Sequence, residues 1–356
     1  MKQLYVILPS PNATGPIKGA FAVINKLTQE FDITVVFLKS GIGINTFVDK
    51  KIKVLNLNEY GTFFRKYIFL KNYLKNKKTS QKLIIFSMCF SGDLMNVLLN
   101  FGGKYLSFTS VRGNLLMNYF YSYGIMGIFL ACFHLFIQRF TSYPLSLNHS
   151  ISKQISFFSG KESIIIPNCV DEEFLEKFRK TIEHKDSPLT FVFIGDLSVR
   201  KNPILLINQF SKLKYNKVFL HIIGDGPLFN KVKEKIIKLG ISDKTLIHGK
   251  LSEPYEILQK ADVFVLPSYS EGTSRAMLEA LFFGIPCLVR DVDCNKQIFN
   301  EEKFIGDLFE KDDELYSKML STALRSRKIK NKQSLLPKRF TQTNVVEKFK
   351  EIFNYE

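Results

Sequence analysis

Tryptophan is absent from this 356-residue chain, its basic residues are scattered, and no zinc spacing, RNP-type motif or basic helix appears. That combination argues against a nucleic-acid binder. Cysteine is scarce: Cys89, Cys132, Cys169, Cys287 and Cys294 are odd in number, sit mostly in apolar runs and form no C-x-x-C pair. A disulfide framework is thereby excluded, and reduced thiols in a cytosolic protein are expected. No His/Cys/Asp cluster suggests zinc, and no G-x-S-x-G or Ser-His-Asp order suggests a hydrolase. Long apolar runs are also missing. The most apolar stretch, Tyr119 to Ile137, is interrupted by Ser122, Gly124, Gly127 and His134, whereas a spanning helix needs roughly 20 uninterrupted apolar residues. A buried or surface-dipping helix is expected there. The N-terminus, Met1 to Pro9, has too short an apolar core for a signal peptide and reads as a first strand.

Carboxylates are outnumbered, 33 Asp and Glu against 50 Lys and Arg, for a formal charge of +17. Such a balance favours anionic partners. A peripheral position at an anionic inner membrane surface is expected, since each surface Lys or Arg contributes about 1 kcal/mol there.

Apolar residues make up 46% of the chain and charged ones 23%, so the protein is globular, and its length suits two domains. The first half alternates strands (Leu4 to Leu8, Ile33 to Phe37, Ile52 to Leu55, Leu83 to Phe86) with helical patterns near Gly19 to Glu30, Phe63 to Leu74 and after Ser91. This is the rhythm of an α/β doubly wound parallel sheet, on which ligands bind at the carboxyl ends of strands. Lys71 to Lys82 reads as a solvated helix end and loop, and Arg325 to Arg339 as basic surface cover.

The stretch from Ser270 to Ala280 is the most informative. Ala261 to Pro267 is a short β-branched run that predicts a buried parallel strand, and Ser268 to Gly272 supply a turn. Ser274 predicts the N-cap of a helix running to Phe283 and stopping at Gly284, with Pro286 beyond it. Glu271 then lies on a loop at the sheet's carboxyl edge and Glu279 on the helix's second turn. Between them, the backbone NH groups of Gly272, Thr273 and Ser274 lie at the positive end of the helix dipole, where a diphosphate is favoured.

This pattern of apolar strand, Pro-Ser-x-Ser-Glu-Gly, Leu-Glu-Ala and Gly-Ile-Pro resembles the E-x7-E signature of the retaining GT-B glycosyltransferases of family four, many of them bacterial surface-polysaccharide enzymes. The resemblance implies a GT-B fold, two Rossmann-like domains facing across a cleft. It implies an acceptor-binding domain over 1–165, a linker over 166–187, a donor domain over 188–338, and a terminal helix over 339–356 crossing back to the first domain. It also implies that Glu271 positions the donor sugar and Glu279 the ribose. Ile164 to Asp171 is similar to the family's strand and Pro-Asn-Gly-Val-Asp turn, with Cys169 in the glycine position, which implies a less strained turn. Phe191 to Lys201 is similar to the family's strand, Gly-Arg-Leu and following lysine. Gly195 and Lys201 match, so Lys201 is assigned to the diphosphate. Asp196 replaces the arginine, so either Arg200 reaches in or the phosphate site is weaker.

Further donor contacts implied are Gly224 and Gly226 in a Gly-x-Gly-Pro loop, and Gly249 and Leu251 beside the base; His248 is read as structural. In the first domain, Gly15, Lys18 and Gly19 occupy a loop near phosphate or acceptor, and Arg112 is assigned an acceptor or phosphate contact. Asp291 and Asp293 have a D-x-D form but are read as loop residues with no bound metal. The implied reaction moves a sugar, with retention, from a nucleotide diphosphate sugar (UDP favoured over GDP) to a glycan or lipid-linked acceptor in surface-polysaccharide synthesis, with no other cofactor. A nucleotide-sugar epimerase and a binding-only homologue are the alternatives.

Overall fold

The computed structural model describes residues 1–12, 14–41, 48–77, 82–180, 187–215, 217–299, 305–329 and 333–354. Ala13, the middle of the basic stretch at 78–81, residues 181–186 of the expected linker and Tyr355 lie outside the described residues. The chain divides into two units, Met1–Cys169 with Gln342 onward, and Val170–Thr341.

In the first unit the order is β1 (Lys2–Leu8), α1 (Gly15–Leu27), β2 (Phe31–Phe37), β3 (Lys53–Asn56), α2 (Phe63–Lys75), β4 (Ile84–Met88), α3 (Cys89–Leu99), β5 (Leu106–Val111), α4 (Leu115–Ile137), β6 (Tyr143–Ser146), α5 (His149–Ser159) and β7 (Ile164–Ile165). The strands form one parallel sheet ordered β3-β2-β1-β4-β5-β6-β7. Both faces are covered. Leu4, Val6 and Leu8 enter one core with α1, while Tyr5 and Ile7 enter another with Leu70 of α2 and Met95 of α3. A continuous apolar strand therefore feeds two cores by alternation alone. Polar ties also hold α3 and α4: buried Asp93 accepts from Ser87 Oγ at 2.7 Å and sits 2.8 Å from His134 Nε2, and His134 Nδ1 is 2.9 Å from the Tyr119 hydroxyl.

The second unit runs α6 (Glu172–Glu176), β8 (Leu189–Ile194), α7 (Pro203–Phe210), β9 (Val218–Ile223), α8 (Phe229–Lys238), β10 (Thr245–Gly249), α9 (Tyr255–Gln259), β11 (Val263–Leu266), α10 (Arg275–Phe282), β12 (Cys287–Arg290), α11 (Asp293–Phe299), β13 (Gly306–Phe309) and α12 (Glu314–Arg327). Its sheet is parallel, ordered β10-β9-β8-β11-β12-β13. Here too Val263 and Val265 face one core and Phe264 and Leu266 the other. The last helix, α13 (Gln342–Phe353), packs with the first unit: Val345, Phe349 and Phe353 join its core, and Gln342 Nε2 donates to the Ala22 carbonyl at 2.6 Å.

Two expectations change. The described part of the supposed linker is divided between the units: Ile166 and Cys169 are buried in the first unit's core, while from Val170 on the chain belongs to the second, where Asp171 caps α6 through the Phe174 amide and Leu175 is wholly buried. The basic segment after Arg325 is not all surface cover. Arg327 reaches inward, where its Nε and Nη2 are each 2.9 Å from an oxygen of buried Asp262, whose Oδ2 also accepts from the Thr190 amide at 2.8 Å.

Candidate functional site

In the second unit the strand order reverses between β8 and β11, which makes the carboxyl ends of those neighbours the switch point where such sheets take ligands. Lys201 follows β8 and Glu271 follows β11, so residues 70 apart in sequence meet there. Lys201 Nζ lies 2.6 Å from Glu271 Oε1, and both side chains are buried, 11% and 7% exposed. Arg200 joins them. Its Nη1 donates to the Ser270 carbonyl at 2.7 Å and lies 3.5 Å from Glu271 Oε1, while its carbonyl accepts from the Tyr269 amide. Of the two alternatives left by Asp196, the geometry has Arg200 reaching in; Asp196 itself is exposed.

Burial alone would raise the Glu271 carboxyl, but the Lys201 and Arg200 charges and the Lys201 hydrogen bond outweigh it, so its pKa lies below the ordinary 4.5. A lowered carboxylate contributes stability in full above its unfolded value and loses it as pH falls through the folded one. The difference in melting temperature between wild type and Glu271→Gln should therefore be largest near neutrality and shrink below pH 4.5, as measured by thermal unfolding across pH.

Downstream, Ser274 caps α10, its Oγ accepting from the Met277 amide, and the helix ends at Gly284, whose φ is 76°. Gly272, Thr273 and Ser274 thus stand at the positive end of α10 beside two cations, a setting suited to an anion. Glu279 is buried one turn in, and Arg275 Nε donates to it at 2.8 Å. Sequence reasoning missed Arg275, although its i,i+4 spacing to Glu279 was a usable signal.

Gly224 and Gly226 are required by the packing of loop on loop, whereas Gly249 has open space around it. A Cβ on Gly224, at φ 149°, would come within 1.8 Å of the Gly195 carbonyl oxygen, and one on Gly226 within 2.8 Å of Asp196 Oδ1. Gly195 donates its amide to Ile223 and Gly224 to Gly249, so three strand ends are laced together. Gly224→Ala should cost about 2–3 kcal/mol, read as a lowered denaturation midpoint. Leu251 is partly exposed beyond β10. His248 stacks on His221 with nitrogens 2.8 Å apart, tying β10 to β9, and burial first, then His248 and Lys260, push His221 down to about 4. Asp291 is 3.3 Å from Lys296, and the Asp293 side chain lies outside the described residues.

In the first unit Gly15, Lys18 and Gly19 are not on a loop: they form the first turn of α1, because Pro16 fits the opening positions of a helix. Gly19 meets Arg112 at Asn168, which sequence reasoning did not single out. Arg112 Nη2 donates to Asn168 Oδ1 at 2.8 Å, and a Cβ on Gly19 would lie 2.9 Å from that oxygen. Gly15 stands apart, with open space around it. Cys169 is buried and is not among the positive-φ residues, as the turn without glycine implied.

Residues 175–335, which carry the whole Lys201, Arg200, Glu271 and Glu279 arrangement, match the family described as Glycosyl transferases group 1. An Escherichia coli protein named UDP-Gal:alpha-D-GlcNAc-diphosphoundecaprenol alpha-1,3-galactosyltransferase is 33% identical over 165 residues, 42% of this chain and 41% of that protein. The match therefore spans less than half of that relative. The E. coli O-antigen biosynthesis glycosyltransferase WclY is 22% identical across 99% of this chain and 98% of its own. Among solved structures, Anabaena HepE in complex with UDP-glucose covers 99% of both chains at a TM-score of 0.80 and 14% identity, which establishes the shared fold. The chain thus has the two-unit GT-B fold, and residues 175–335, most of its second unit, match the Glycosyl transferases group 1 family.

Proposed function

We propose that this protein is a retaining glycosyltransferase that moves a sugar from a nucleotide diphosphate sugar, with UDP as the favoured nucleotide, to a glycan or lipid-linked acceptor in bacterial surface-polysaccharide synthesis. The observation that carries the reading is the convergence of Lys201 and Arg200 on Glu271, at the switch point and beside the start of α10. Buried Lys201 and partly exposed Arg200, with a helix N-terminus, stabilise a departing diphosphate through charge-assisted hydrogen bonds, preorganised before the bond breaks. Glu271 addresses the sugar and the positive charge that develops on it, and Glu279, oriented by Arg275, holds the ribose hydroxyls.

The name of the 33% identical E. coli relative includes a UDP donor and a diphosphoundecaprenol acceptor, which supports both the base and the lipid-linked class. Arg112 and Gly19, meeting at Asn168, supply acceptor contacts on the first unit. No metal is assigned a role, since Lys201, Arg200 and the α10 dipole supply the positive charge. The protein is placed in the cytoplasm, peripheral to the inner face of the membrane. A thermal-shift series with UDP, GDP and their sugars tests the donor, because a native-state ligand raises the melting temperature. Product analysis should then give a transferred sugar with retained configuration; an isomerised donor formed without acceptor would overturn the reading.

A further inference from the structure

The helix α4 exposes what its composition would bury. Ile125, Met126 and Phe129 are 70%, 72% and 65% exposed, and Tyr123, Phe133 and Phe136 are exposed beside them. The opposite side is anchored: Leu115, Ala131 and Leu135 pack with Ile151 and Ile155 of α5, and His134 is held by buried Asp93. Solvent therefore meets a broad apolar and aromatic face that none of the described residues covers, a patch of the kind that marks an interaction site.

Its surroundings identify the partner. No Asp or Glu occurs between Asp93 and Glu162, a stretch that holds Lys104, Arg112, Arg139, Lys153 and Lys161. An apolar face in a segment carrying positive charge alone complements a bilayer with anionic headgroups, where aromatic rings settle at the interface. The helix does not suit a span. It breaks at Gly124, with φ 61° and ψ −145°, and the remaining run from Ile125 to Ile137 reaches about 20 Å against roughly 30 Å of hydrocarbon. Gly127 closes the break, since a Cβ there would fall 2.0 Å from the Tyr119 carbonyl oxygen.

We propose that the outer face of α4 docks on an anionic phospholipid bilayer, with Ile125, Met126 and Phe129 entering the headgroup region. Its purpose rests on the lipid-linked acceptor reading, bringing the first unit to the surface where such an acceptor lies.

The chain's lack of tryptophan provides the test. In full-length Phe129→Trp the single indole should shift to the blue and be quenched by brominated acyl chains in phosphatidylglycerol vesicles, more weakly at high salt, and far less in phosphatidylcholine alone. Met126→Glu with Phe129→Glu should reduce vesicle flotation at least about tenfold, while Phe64→Glu, on exposed α2, should leave it unchanged. The proposal is overturned if the indole does not respond, if Phe64→Glu has the same effect, or if wild type is a dimer that the double variant dissociates without any vesicle binding. The vesicles contain no sugar donor, so flotation without any UDP-induced thermal shift would defeat the glycosyltransferase reading and leave the docking surface standing.

Discussion

Lys201→Ala is expected to lower turnover roughly 100- to 1,000-fold, the usual loss when one preorganised contact to developing negative charge is removed. Folding is the competing explanation, because Lys201 is the nearest cation to a buried carboxylate and its removal leaves Arg200, at 3.5 Å, as the ion-pair partner of Glu271 among the described residues. The two effects separate in a double-mutant cycle. Glu271→Gln removes the charge that Lys201→Ala would strand, so the double variant should regain thermal stability over Lys201→Ala alone. Activity should not return with it, since neither the cation nor the sugar contact is restored. A double variant that recovered both stability and turnover would show that Lys201 acts only through the fold.

Arg327→Ala should cost about 3 kcal/mol or more, the penalty for leaving an uncompensated buried charge. Asp262 is 0% exposed and holds both β8, through the Thr190 amide, and α12, through Arg327. Arg327 also donates to the Ser187 and Pro188 carbonyls, which fixes the chain where it enters β8. Denaturant unfolding should therefore show a lower midpoint for the second unit, with the slope unchanged. Asp262→Asn retains an acceptor for the Thr190 amide while losing the ion pair, so its loss should be smaller than that of Asp262→Ala.

Both predictions rest on contacts that reading along the chain cannot supply. The strands, the Ser274 cap and the placement of Glu271 and Glu279 were legible because they depend on local spacing and turn chemistry. The contacts from Arg200 to Glu271, from Arg112 to Asn168 and from Arg327 to Asp262 join residues 71, 56 and 65 apart, and only the folded sheet brings them together. Asp196 was legible as a departure and Arg200 as one of two responses to it, but only the fold turns the Arg200 guanidinium to Glu271.

The packing behind the glycines was illegible for the same reason. Gly224 and Gly226 suggest backbone approach to a ligand, and the fold adds that a Cβ on either would run into Gly195, Asp196 or Leu197 of the adjacent loop. Likewise α4 has apolar residues on every side, so its periodicity could not tell the face that packs on α5 from the face left to solvent. Gly15 and Gly19 suggest a loop at the start of α1, but Pro16 favours a helix start and the helix begins at Gly15.

The central claim is that the cations beside Glu271 hold a nucleotide diphosphate. Titration calorimetry of UDP against UMP and uridine, on wild type and Lys201→Ala, tests it most directly. UDP should bind wild type at least about tenfold more tightly than UMP, and Lys201→Ala should remove most of that preference. Equal affinity for UDP and UMP, or a preference untouched by Lys201→Ala, would contradict it.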